Sequence, residues 1–142
     1  MLSKLRVTTL AMLVAVMLLS ACQSGKQIGT EVTTEDGSYR TVSAPELQTL
    51  LEKKDFFMVN VHIPWEGDIP QTDLRLAYDQ IEQNLDQLPQ DKDAKIIVYC
   101  LTSGMAKKAT TTLLDQGYTN LWMLDGGTTA WQEAGFSLEG TP

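Results

Sequence analysis

The segment that most constrains this chain is a buried strand running directly into a cysteine and then a helix. Lys95 to Tyr99 carries Ile96, Ile97 and Val98 without alternation; Cys100 and a short loop follow; Gly104 to Gln116 then has helical spacing, and Gly117 supplies its stop. A continuous apolar run of that length, rich in β-branched residues, reads as a strand covered on both faces. The rest repeats the theme. Tyr39 to Val42 predicts a short strand. Ser43-Ala44-Pro45-Glu46 is a capping box that opens a helix with Leu47, Leu50 and Leu51 on one face. Phe56 to Val61 predicts a second buried strand. His62 to Ala77, with Pro64, Gly67 and Pro70, predicts a long loop, and Tyr78 to Leu85 a short helix ended before Pro89. Asn120 to Leu124 is a further strand, Asp125-Gly126-Gly127 a turn, and Thr128 to Ala134 a last helix. This alternation predicts an α/β fold: a parallel sheet flanked by helices on both faces. Chemistry in such sheets gathers at the carboxyl ends of strands, where Cys100 stands.

The first 21 residues read differently. Lys4 and Arg6 precede an apolar run from Leu10 to Leu19, too short to span a bilayer comfortably, and Leu19-Ser20-Ala21-Cys22 follows. The arrangement resembles a bacterial lipoprotein signal, in which the cysteine is acylated and becomes the new N-terminus. Residues 22–38, polar and with glycines at 25, 29 and 37, then read as a lipidated start and tether. As a coil, Gln23 to Ser38 would reach roughly 20–24 Å, although Ile28 and Val32 allow a short strand. The folded domain is expected over 39–140, with a monomer as the default. Losing residues 1–21 would move the net charge from −7 to −9. That argues against nucleic acid as a partner and against an electrostatic membrane patch, and leaves acyl chains on Cys22 as the membrane link. The expected location is the cell envelope. It would be the periplasmic side of an outer membrane, consistent with Gln23 rather than Asp after the cysteine, or the outer face of the plasma membrane in a single-membrane host.

With Cys22 lipidated, Cys100 is the sole thiol, and neither an internal disulfide nor a resolving cysteine is available. A strand–loop–helix setting aims loop amides and a helix N-terminus at the sulfur, which favours thiolate over thiol and would equally cradle an anionic persulfide. Leu101, Thr102, Ser103, Gly104, Met105 and Ala106 form the expected substrate loop. Thr102, Ser103 and Gly104 are small enough to let the backbone wrap closely, and Gly104 can take positive φ.

Val98-Tyr99-Cys100, its loop and Gly117-Tyr118-Thr119-Asn120 resemble the active-site segment of rhodaneses. Leu124-Asp125-Gly126-Gly127-Thr128-Thr129-Ala130-Trp131 resembles their L-x-G-G-x-x-x-W ending, and Ser43 to Leu47 the entry to their first helix. The resemblance spans roughly Tyr39 to Glu139. It implies sulfur transfer in two covalent steps: Cys100 takes a sulfane sulfur from thiosulfate or an organic persulfide and passes it to a thiol or cyanide-like acceptor, without metal or organic cofactor. The loop departs from the family pattern C-x-x-G-x-R: Ser103 stands for the glycine and Met105 for the arginine, which weakens the case for thiosulfate. Lys107 and Lys108 are the nearby cations; the plainer reading puts them on a solvated helix face. Another outcome of these departures is a weakly active or inactive tethered module for binding or sensing.

His62, the only histidine, follows a strand. It is either a base or charge partner for Cys100 or a residue satisfied by loop hydrogen bonds. Trp65 either shapes a substrate mouth or packs. Glu66, Asp68 and Asp73 lack a recognised metal-ligand spacing and read as solvated loop charges. A cysteine phosphatase would need an arginine six residues past Cys100, where Ala106 stands.

Overall fold

A computed structural model describes residues 27–140. The expected signal, Cys22 and the first part of the tether lie outside the described residues. Six strands and three α-helices are described. They run β1 (Thr30–Thr34), β2 (Gly37–Val42), α1 (Ala44–Leu51), β3 (Phe57–Asn60), β4 (Leu74–Arg75), β5 (Ile96–Tyr99), α2 (Gly104–Asp115), β6 (Leu121–Leu124) and α3 (Gly127–Glu133). They form one sheet in the order β1-β2-β6-β5-β3-β4. All neighbours from β2 to β4 are parallel, whereas β1 pairs antiparallel with β2 as a hairpin. The sheet is therefore mixed rather than wholly parallel, and the expected tether is ordered from Thr30 onward. The hairpin was hard to foresee because Val32 is the only apolar side chain in β1 and is half-buried.

β5 explains the two-sided core. Ile96, Val98 and Cys100 face one cluster with Ala106, Ala109 and Leu113 of α2; Ile97 and Tyr99 face the other, with Leu47 and Leu51 of α1 and Trp131 of α3. Helices thus cover both faces, and β5 is buried along its whole length. The start of α1 is set by the Glu46 carboxylate, which accepts from the Ser43 amide at 2.9 Å and the Ser43 hydroxyl at 2.8 Å. Gly117, at φ +85°, ends α2.

Two local expectations change. The helix foreseen over Tyr78–Leu85 is a 3₁₀ segment at Glu82–Gln87, broken by non-helical backbone at Asn84. The His62–Ala77 loop contains β4 and is not solvated throughout. Asp68 is only 8% exposed and accepts from Asn60 Nδ2 (2.9 Å), Trp65 Nε1 (3.1 Å) and Arg75 Nε (2.5 Å). Asp73 accepts from the Met58 amide at 2.7 Å and pairs with Lys54. Trp65 packs, with the Arg75 guanidinium 3.9 Å from its ring centroid. No group of metal-ligating side chains is present among the described residues, and no helix among them is long and apolar enough to cross a membrane.

Candidate active site at Cys100

β5 delivers Cys100 to the carboxyl edge of the sheet, where the sulfur lies at the floor of a cavity of about 370 Å³. His62, Tyr78, Leu101, Thr102, Gly104, Met105 and Lys108 also line it, while Cys100 itself is 2% exposed. The Ala106 N–H donates to Cys100 Sγ at 3.4 Å, and the Lys107 N–H to the Ser103 carbonyl at 2.9 Å. The amides of Leu101 through Met105 have no protein acceptor among the described residues. Unpaired loop amides next to a helix N-terminus favour an anion, and the Ala106 N–H already reaches the sulfur, which suits a thiolate or a persulfide.

The loop is shaped from behind. Thr128 and Thr129, in the first turn of α3, donate their amides to the carbonyls of Cys100 (2.9 Å) and Leu101 (3.0 Å). This uses helix amides that lack an intrahelical partner, and it turns the loop carbonyls away from the sulfur. Gly127, at φ +58°, makes the close approach possible. A Cβ there would lie 2.2 Å from the Cys100 carbonyl oxygen and 2.5 Å from that of Thr102. Ser103 Oγ adds a brace by accepting the Gly126 N–H at 3.0 Å.

The glycine that the loop needs is therefore in the Gly126-Gly127 turn and not at position 104. Gly104 does not have positive φ, and a Cβ on it would meet nothing within 4 Å. Chain order hid this role of Gly127, although a Gly-Gly pair entering a helix after a strand was a usable cue.

The model of the rhodanese-like domain matches residues 43–134. The chain belongs to the rhodanese-like domain family. A protein named sulfurtransferase from Allochromatium vinosum is 30% identical over 94 residues, covering 64% of this chain and 85% of the relative. A tRNA uridine(34) hydroxylase of Erwinia tasmaniensis is 29% identical over 97 residues, covering 64% of this chain; there the match spans only 27% of the relative. Among solved structures, a rhodanese-related protein of Thermoplasma volcanium superposes with a TM-score of 0.60 at 22% identity, covering 70% of this chain and 97% of the other, and shares the fold.

In this rhodanese-like domain the remaining candidates separate. His62 lines the Cys100 cavity, and it is also tied within its loop: Nε2 lies 2.9 Å from Glu66 Oε2, and its backbone N–H donates to Asn60 Oδ1 at 3.0 Å. Lys108 lines the cavity, with its ammonium 5.4 Å from the Tyr78 ring centroid; Lys107 is exposed and not among the lining residues. Met105 is half-buried in the wall, Leu101 beside it, and Ala106 is buried beneath the sulfur it serves through its amide. Tyr78 was missed because its segment read as a helix; packed against the apolar cluster that contains Cys100, it instead forms a wall of the site.

Proposed function

We propose that this protein is a sulfurtransferase or sulfur carrier that holds the transferred sulfur as a persulfide on Cys100. The carrying observation is Cys100 lining a ligand-sized cavity, with its sulfur accepting the Ala106 N–H and the amides of the adjoining loop left without a protein acceptor among the described residues. Cys100 thiolate attacks the outer sulfur of the donor and forms a new S–S bond. The donor's own sulfur–sulfur bond breaks, and its electron pair leaves on sulfite from thiosulfate or on a thiolate from an organic persulfide. An acceptor nucleophile then takes the outer sulfur, and Cys100 leaves as thiolate. The Ala106 amide and the loop amides stabilise the negative sulfur in both forms. The relative named sulfurtransferase supports sulfur transfer as the reaction class. The lipoprotein-like residues before Gln23 support a second part of the proposal: the domain works outside the cytoplasm, held to a membrane through lipid on Cys22.

Intact-mass measurement tests the reaction. Full-length protein in detergent, incubated with thiosulfate or glutathione persulfide, is expected to gain one sulfur atom, and Cys100→Ser none. No gain from any donor, on folded protein with a free thiol, would sink the sulfur-carrier reading and leave a tethered binding module.

A further inference from the structure

Resting on that reading, we infer that the Cys100 cavity selects organic persulfides bearing a carboxylate, with Lys108 as the residue that receives it. Three observations converge. First, the cavity walls are largely apolar: Tyr78, Leu101 and Met105 line it, and its volume of about 370 Å³ exceeds what a tetrahedral oxyanion fills. Second, its charge suits a monoanion. Lys108 is the only permanently charged lining residue, and it makes no ion pair among the described residues. His62 brings no net positive charge, because its Nε2 already faces the Glu66 carboxylate at 2.9 Å. A small dianion would thus find one flexible ammonium and no guanidinium fork. Third, Gly104 lies one helical turn before Lys108, on the same face of α2. The Lys108 ammonium lies toward Tyr78, 5.4 Å from that ring's centroid. Backbone conformation does not demand glycine at position 104 and nothing would meet a Cβ, so the missing side chain leaves width at the mouth beside the lysine.

In the reaction, Cys100 thiolate attacks the outer sulfur of R–S–SH, the S–S bond of the donor breaks, and R–S⁻ departs while its carboxylate stays with Lys108. Cys100 keeps the sulfur and its proton as –S–SH, so atoms and charge balance.

The test compares the rates at which full-length protein acquires sulfur on Cys100 from glutathione persulfide and from the persulfide of its diethyl ester, which lacks the carboxylate charges. The wild type is expected to favour the charged donor by about fivefold. Lys108→Gln should bring that ratio close to one, and Lys108→Arg should retain it. Gly104→Arg should raise the rate with thiosulfate and lower it with glutathione persulfide. Equal rates for both donors in the wild type, or an unchanged ratio in Lys108→Gln, would overturn the inference while leaving Cys100 a sulfur carrier. Failure of every donor to load Cys100 would instead remove the sulfur-carrier reading itself.

Discussion

Two loops leave the carboxyl edge of the sheet and are held in opposite ways. The loop after β3 is fastened by its side chains. Asp68 gathers Asn60, Trp65 and Arg75; the Tyr99 hydroxyl accepts the Ile69 amide at 3.0 Å and lies 2.7 Å from Thr72 Oγ1; and Glu139 clamps Asp68 by two backbone bonds. The loop after β5 points no such network inward. Thr102 is exposed, Leu101 and Ser103 are half-buried, and the hold comes through its carbonyls from α3. The difference follows from what each loop presents. A loop that offers amides to an anion has to be gripped by its carbonyls, whereas a loop that only supports can be filled with its own polar side chains.

This contrast predicts where each loop breaks. The largest effect is expected from Gly127→Ala. A methyl group there collides with carbonyl oxygens of the Cys100 loop, and the residue must hold φ +58°. Overpacking against backbone plus left-handed strain should cost roughly 3–5 kcal/mol. Chemical denaturation should show that loss, and the surviving folded protein should acquire sulfur more slowly. Gly104→Ala, by contrast, should be tolerated in stability, since its Cβ meets open space. Equal destabilisation by the two alanines would refute the view that the loop is shaped from behind.

The supporting loop should break at a side chain. Asp68→Ala leaves the Asn60 amide, the Trp65 indole N–H and the Arg75 guanidinium without their shared acceptor. Arg75 is half exposed and can turn to water, which limits the loss to about 2–3 kcal/mol. Sulfur loading per folded molecule should fall far less than in Gly127→Ala. A loss of loading in proportion to stability would mean that the two loops are not separately held.

Tyr99→Phe removes one member of that network and adds a pH dependence. Burial raises the Tyr99 hydroxyl well above its ordinary value near 10, only partly opposed by its hydrogen bonds to Thr72 and Ile69. Its protonated form is therefore favoured by folding. The stability it gives is complete below pH about 10, where the unfolded tyrosine titrates, and is lost as pH rises toward the raised folded value. At neutral pH the variant should be about 1–2 kcal/mol less stable than the wild type. Unfolding midpoints measured up to pH 11 should show that gap narrowing above pH 10. A gap independent of pH would mean that the hydroxyl is not held neutral by its surroundings.

Sequence pattern disclosed the parts governed by periodicity and short-range chemistry. The Ile96–Tyr99 strand, the capping box at Ser43–Glu46, the Gly104 helix and the position of Cys100 between strand and helix all follow from local rules. What escaped depends on distant partners. Asp68 looked like a solvated charge because its partners lie eight residues before it (Asn60) and seven after it (Arg75). Thr30–Thr34 looked like tether because an edge strand with one apolar residue carries almost no periodic signal, and its pairing comes from β2. Gly127 looked like turn punctuation because its crowding arises from a loop more than twenty residues earlier in the chain.

The smallest effect is expected at Ser103, where the contrast can be sharpened further. Its hydroxyl oxygen accepts the Gly126 amide at 3.0 Å and lies 3.3 Å from Asp125 Oδ1. Among the described residues, it is the one side chain of the Cys100 loop that bonds back to the turn behind it. Ser103→Ala should cost only about 1 kcal/mol, because the Thr128 and Thr129 amides still hold the neighbouring carbonyls. Sulfur loading should slow by no more than about threefold, a change of under 1 kcal/mol in barrier. Combining Ser103→Ala with Asp68→Ala then provides a double-mutant cycle across the two loops. Loops held independently should give additive losses within about 0.5 kcal/mol. A larger coupling would show that the network under Asp68 reaches the Cys100 loop through Tyr99, the residue that immediately precedes the sulfur in β5 and touches both sides of the comparison.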